Sequence, residues 1–172
     1  HLGVKPDVAG TDKIYNGAVD NGMGVSSVLE IAQAFAHAKP RPARSVVFLF
    51  WTMEEQGLLG SQYFARHPLW PLNKIVGGIN FDANLPEGTA HDMVVVGNGA
   101  SQLEDILAAA LKSQNRVISP DPEPEKGSFY RSDHISLAKV GVPMLYPGGG
   151  YDLVDGGKAA GQKLRDEYRT RH

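Results

Sequence analysis

The stretch FLFWTMEEQGLLGS, residues 48 to 61, joins an apolar run to two adjacent glutamates. The residues directly before Thr52 are all apolar, which predicts a strand over 44–52 covered on both faces, as in a parallel α/β sheet. Ligands of such sheets bind at the carboxyl ends of the strands. Glu54 and Glu55 follow that end, so they are candidates for a functional site. A solvated helix start is the alternative, because carboxylates favour the positive end of a helix dipole.

The composition is that of an ordinary globular domain with a core. The chain has 172 residues, of which 42% are hydrophobic and 21% charged. A net charge of -2 gives no reason to expect nucleic acid or an anionic membrane as a partner. No apolar run is long enough to span a bilayer. Because the chain has no cysteine, any metal must be bound by His and carboxylates.

Helical and strand patterns alternate along the chain. The predicted helices cover 23–38, 58–64, 101–114, 132–139 and 158–169, and the predicted strands cover 44–52, 75–82, 92–96 and 142–146. The proline-rich segment 119–127 predicts an exposed loop, and residues 1–22 show no strand pattern. Together these patterns indicate one domain over 1–172, a three-layer αβα α/β fold with a mostly parallel, mixed central sheet.

The beginning of the chain does not fit a complete domain of this kind. A right-handed crossover needs a strand before the helix at 23–38. We therefore expect that the chain lacks its natural beginning and has an open sheet edge. Such an edge can pair with another chain, so dimerisation or aggregation is the expected symptom.

Polar residues collect at the predicted strand ends and helix starts. They are Asp20, Glu54, Glu55, Asp82 and His134. Asp20, Ser132 and Asp133 could instead cap helices, and a lone histidine is often structural. As a set, four carboxylates and one imidazole suit zinc or a similar divalent ion.

Four motifs, in this order and spacing, resemble those of the co-catalytic zinc aminopeptidases of the bacterial leucyl aminopeptidase type. The motifs are YNGAVDNGMGVSSVLEIAQAF, RSVVFLFWTMEEQGLLGSQYFA, GGINFDAN and RSDHISLAKVGVPMLY. The resemblance covers nearly the whole chain and implies a zinc exopeptidase fold. It also implies a peptide substrate with a free N-terminus and a periplasmic or secreted location.

The resemblance assigns a role to each of the five polar residues. It implies that Asp20 bridges two zinc ions, that Glu55 and His134 complete one of them, and that Asp82 belongs to the other. Glu54 would be the general base. One glutamate would then bind metal while its neighbour accepts the proton that an attacking water loses.

The resemblance implies a domain that is incomplete at both ends, because family members continue past a segment like EYRTRH, whereas this chain stops at His172. In the family a His-x-Asp motif precedes His-Leu-Gly, and this chain begins with HLG, so His1 matches the residue after that motif. Asp82 then lacks the imidazole expected beside it. We expect this chain to be the central part of a peptidase domain that holds one zinc ion well and has weak or no activity by itself.

Two other functions share this fold. A glutaminyl-cyclase-like acyltransferase would use one zinc, held by the trio Asp20, Glu55 and His134. A non-catalytic binding domain would have lost its ligands, whereas all five positions here keep competent residue types. The motifs around Asp20 and Glu55 favour the peptidase.

The preference for a substrate side chain is not readable from the sequence. Phe129, Tyr130, Tyr146 and Tyr151 could line a cleft near the metals, or they could be ordinary core or surface aromatics. The run PGGGYD could approach a substrate or simply turn the chain.

Overall fold

The computed structural model describes residues 3–4, 13–83 and 88–171, with the side chains of residues 3, 4 and 171 excepted. These residues form two compact units. The first contains the described residues up to 50 together with 81–83, and the second contains 51–80 and 88–171. The prediction of one domain over 1–172 stays a prediction.

The described residues of the first unit form two short strands and one long helix. Strand β1 (Gly3–Val4) pairs antiparallel with β2 (Ile14–Tyr15), and helix α1 (Gly22–His37) follows. The expectation that residues 1–22 contain no strand was therefore wrong. Helix α1 was predicted from the recurrence of apolar residues at helical spacing, and that prediction is confirmed.

The described residues of the second unit form parallel strand pairs and four α-helices. Its elements in chain order are α2 (Leu59–Arg66), β3 (Gly78–Ile79), β4 (Asp92–Val95), α3 (Leu103–Lys112), β5 (Val117–Pro120), α4 (His134–Ala138), β6 (Met144–Leu145) and α5 (Gly157–Arg171). Strand β3 pairs parallel with β6, and β4 pairs parallel with β5. The predicted α/β class with parallel strands is confirmed. Among the described residues, no helix combines the length and apolar character needed to cross a bilayer.

The predicted strand at 44–52 is wrong. Its backbone forms no ladder with another strand in the described part of the chain. Val46, Val47 and Phe50 are 42 to 50% exposed instead of covered on both faces. An apolar run favours a strand only where a neighbouring strand takes its hydrogen bonds, and the described residues supply no such neighbour.

The predicted loop at 119–127 is only partly a loop. Strand β5 extends through Pro120, and residues Pro124–Lys126 form a short 3₁₀ turn. Among the described strands β5 pairs only with β4, so it lies at an edge, where proline can end a strand. The prolines of this segment led to the prediction of a loop in place of the strand.

The PGGGYD run packs tightly against β4. Gly148 donates a backbone hydrogen bond to Val94, and a Cβ on Gly150 would lie 2.0 Å from that of Ala90. Both the Tyr151 and the Asp152 amides donate to Oδ1 of a buried aspartate in β4, each at 2.8 Å. Within the second unit this run therefore serves packing, and glycine at 150 permits the close approach.

An ion-pair cluster links the segment after β5 to α5. Glu123 accepts hydrogen bonds from Lys126 at 2.6 Å and from Arg169 Nη1 at 3.0 Å, and Arg169 Nη2 also donates to it. The Glu123 side chain is only 18% exposed. Hydrogen bonds from Arg169 and then Lys126 lower the pKa of Glu123 to about 2.

We expect this cluster to stabilise the fold at neutral pH and to fail in acid. A lowered carboxyl pKa contributes stability above the unfolded value of about 4.3, and the contribution is lost as pH falls towards 2. Glu123→Gln should therefore lower the free energy of unfolding at pH 7 by about 1 kcal/mol after solvent screening, and by nothing near pH 2. Denaturant unfolding at both pH values measures this.

Glu167→Gln is the matched control, because Glu167 pairs with Lys163 at 3.9 Å and both side chains are well exposed. Glu167→Gln should not measurably change the free energy of unfolding at either pH. Equal losses in the two variants would contradict a special role for Glu123.

Candidate functional site

Asp20 and Asp82, both in the first unit, flank a hydrogen-bonded bridge made by Asn21. The side-chain nitrogen of Asn21 donates to the Phe81 carbonyl at 3.0 Å, and the side-chain oxygen of Asn21 accepts from the Ala83 backbone amide at 3.4 Å. The bridge joins the residue after Asp20 to the residues on each side of Asp82. Both aspartates are half-buried. The first unit therefore brings the two chain segments together as the metal hypothesis requires.

Helix α1 begins beside this bridge. Its N-cap is Asn21, whose side-chain oxygen accepts from the Gly24 amide at 3.0 Å, so the alternative that Asp20 caps the helix is wrong. A Cβ on Gly24 would lie 2.5 Å from the Phe81 carbonyl oxygen. Glycine at 24 thus lets the helix start approach the backbone next to Asp82.

Glu54 and Glu55 lie in a tight turn before α2. The Glu54 carbonyl accepts from the amides of Gly57 and Leu58 at 3.0 and 2.8 Å. Neither glutamate is in the first turn of the helix, which has no acidic residue, so the helix-start explanation is wrong. Glu54 is half-buried and Glu55 is exposed.

The position of this turn against α2 is fixed by the backbone. Gly60 donates to the Thr52 carbonyl at 3.1 Å, and a Cβ on Gly60 would lie 2.5 Å from that oxygen. Any larger residue at 60 would push the helix start away from Thr52. Gly60, the second glycine of the EEQGLLGS motif, is therefore required for packing against Thr52, and this packing helps to fix the turn that carries the two glutamates.

Two polar contacts hold the segment around His134 within the second unit. The hydroxyls of Ser61 in α2 and Ser136 in α4 share a buried hydrogen bond of 2.9 Å. The Asn80 side chain donates to the Ser132 hydroxyl at 2.7 Å. Because buried polar groups are costly unless paired, these contacts define how α2 and the residues after β3 meet the SDH motif.

His134 is the most enclosed of the five predicted site residues. It is 1% exposed, and neither ring nitrogen has a hydrogen-bond partner among the residues that the structure describes. Burial lowers its pKa to about 4, and the neighbouring Phe129 backbone offsets part of that effect. The imidazole is therefore neutral at pH 7, the form that binds a metal.

The chemistry of these side chains fits a metal. A buried imidazole with two unpaired nitrogens lacks a partner that an ion would supply, and carboxylates are suitable further ligands. Yet no group of three or more His, Asp or Glu side chains lies within ligating range of one ion in the described residues. That Asp20, Glu54, Glu55, Asp82 and His134 form one centre stays a prediction.

Of the four aromatic residues that could line a cleft near the metals, two are next to His134. The rings of Phe129 and Tyr146 have centroids 4.8 and 4.7 Å from the His134 ring. Tyr130 is 68% exposed, and the Tyr151 hydroxyl donates to a glutamine of α5. The bridging role of Asn21 was not predicted, although its place in the VDN motif before a helical pattern is a typical N-cap signal.

The chain belongs to peptidase family M28, whose family model matches residues 1–172. It is 31% identical over 154 residues to leupeptin-inactivating enzyme 1 of Streptomyces exfoliatus, a match that covers 88% of this chain and 33% of that protein.

Solved structures show the same fold. The crystal structure of Legionella pneumophila LapA aminopeptidase matches with a TM-score of 0.67 and 23% identity, over 87% of this chain and 39% of that one. Porphyromonas gingivalis glutaminyl cyclase matches with a TM-score of 0.52 and 20% identity, over 92% and 67%. The chain thus spans about a third of the length of the Streptomyces relative and about two fifths of LapA.

Proposed function

We propose that this chain is part of a zinc-dependent aminopeptidase that removes N-terminal residues from peptides with a free α-amine. The observation that carries the proposal is the match to peptidase family M28 over residues 1–172. The order of the four motifs and the neutral, buried imidazole of His134 support it.

Asp20, Glu55 and His134 would hold one zinc ion, and Asp20 and Asp82 would contribute to a second. When bound, zinc supplies Lewis-acid activation of the scissile carbonyl and of the attacking water. Buried His134 offers a neutral nitrogen to the ion, and the Asn21 bridge keeps the segments that carry Asp20 and Asp82 together.

Glu54 would handle the proton. As water attacks the carbonyl carbon, the Glu54 carboxylate accepts one water proton, and it then passes that proton to the amine nitrogen as the C–N bond breaks. Glu54 can do this only if it is not itself a metal ligand. The turn before α2 places the two side chains in different surroundings, with Glu54 half-buried and Glu55 exposed.

A glutaminyl-cyclase-like activity is the alternative, since aminopeptidases and cyclases share this fold and the fold does not choose between them. The peptidase family match and the 31% identical relative favour the peptidase. Assays of the full-length protein separate the two.

The full-length protein should release p-nitroaniline from an aminoacyl-p-nitroanilide and should not release it from the N-acetylated substrate. The acetylated compound is the matched control because it differs only in the free amine. Cyclisation of an N-terminal Gln peptide without p-nitroaniline release would contradict the proposal. Neither activity, with no zinc bound, would favour a binding domain.

A further inference from the structure

The imidazole of His134 is held by ring packing. Phe129 meets it edge-on at 71° with centroids 4.8 Å apart, and Tyr146 meets it at 46° and 4.7 Å. No hydrogen bond to either nitrogen restrains the ring among the described residues. The aromatic contacts are therefore the side-chain contacts that restrain its orientation.

Phe129 in turn depends on the absence of a side chain at Gly97. A Cβ placed on Gly97 would lie 2.1 Å from Cδ2 and 2.3 Å from Cε2 of the Phe129 ring. Real Cβ atoms do not approach ring carbons so closely, and Gly97 also has a φ of 75°. Its position in the turn after β4 therefore leaves room for the Phe129 ring.

We propose that Phe129, seated against Gly97, is a positioning residue that fixes the imidazole of His134 for metal binding. The inference rests on the proposed function, because it assumes that His134 is a ligand. An imidazole ring that is already oriented loses less conformational freedom when an ion binds. The contact with Phe129 therefore improves metal affinity although Phe129 is not itself a ligand.

The test measures zinc affinity of the full-length protein by competition with a chelating dye. Phe129→Leu should weaken zinc binding about 3- to 10-fold, the range expected from one aromatic contact. It should also change the visible absorption spectrum of the cobalt-substituted protein, which reports ligand geometry. Tyr63→Leu is the matched control, because Tyr63 stacks on another histidine, His67, at 4.5 Å; it should change neither readout.

A double-mutant cycle separates this positioning role from a general loss of stability. Gly97→Ala strains the backbone in any background, but it should weaken zinc binding only while the Phe129 ring is present. We therefore expect Gly97→Ala to weaken zinc binding in the wild type and to have no further effect on affinity in Phe129→Ala.

The outcomes that overturn the inference are distinct from those that overturn the function. Wild-type protein that binds zinc with an affinity unchanged by Phe129→Leu overturns the inference alone. Equal losses from Gly97→Ala in both backgrounds do the same. Wild-type protein that binds no zinc overturns the proposed function and the inference together.

Discussion

Glu54→Gln in the full-length protein should retain zinc and the fold but lose roughly 10²- to 10⁴-fold in turnover rate. The amide has nearly the shape of the carboxylate, and it cannot accept the proton that the attacking water releases. Because the Gly57 and Leu58 amides donate to the Glu54 backbone carbonyl, the substitution leaves these two hydrogen bonds intact. Steady-state kinetics on an aminoacyl-p-nitroanilide, with metal analysis of the same sample, measures the effect.

Glu55→Gln is the matched comparison, because it makes the same chemical change one residue later. This variant should lose zinc during dialysis and regain part of its activity when excess zinc is added, as expected for a weakened ligand. Equal zinc loss in both variants would show that the assignment of base and ligand is wrong.

His134→Leu should remove the stabilisation that comes from the zinc ion held by Asp20, Glu55 and His134, without destabilising the metal-free protein. A buried imidazole with two unpaired nitrogens costs about 1 to 3 kcal/mol, which an apolar side chain of similar volume avoids. The wild type, by contrast, should gain about 2.7 kcal/mol at a free zinc concentration 100 times the dissociation constant. Denaturant unfolding with and without zinc measures both the stability of the metal-free protein and the gain in stability from zinc.

Leu137→Val controls for disturbance of α4, in which Leu137 is 5% exposed. It should cost about 1 kcal/mol in the metal-free protein and keep the full response to zinc. A His134→Leu protein that zinc still stabilises as much as the wild type would show that His134 is not a ligand.

Helix α1 and strand β4 were predicted from local patterns because their side chains alone identify them. The strand prediction for 44–52 was wrong for the opposite reason. Its apolar residues suggested two covered faces, but a strand also needs neighbours for its backbone, and no local pattern reports whether they exist. Strand β5 was missed since proline suggested a loop, although proline is tolerated at the end of an edge strand.

The candidate site was predicted residue by residue from motifs, and its supporting contacts were not. That Asn21 joins the segments of Asp20 and Asp82, 62 residues apart, requires knowledge of which backbone lies opposite the helix start. The same holds for the Ser61 and Ser136 pair, whose members are 75 residues apart. Side-chain type and spacing predict ligands, whereas long-range packing decides which residues orient them.

Removal and return of zinc tests the central claim most directly. The full-length protein is dialysed against a chelator, assayed on an aminoacyl-p-nitroanilide, and assayed again after zinc or magnesium is added. We predict a loss of at least about 100-fold, restored by zinc and not by magnesium, which prefers octahedral oxygen sites to a site with imidazole. Activity that survives complete removal of metal would contradict a zinc aminopeptidase.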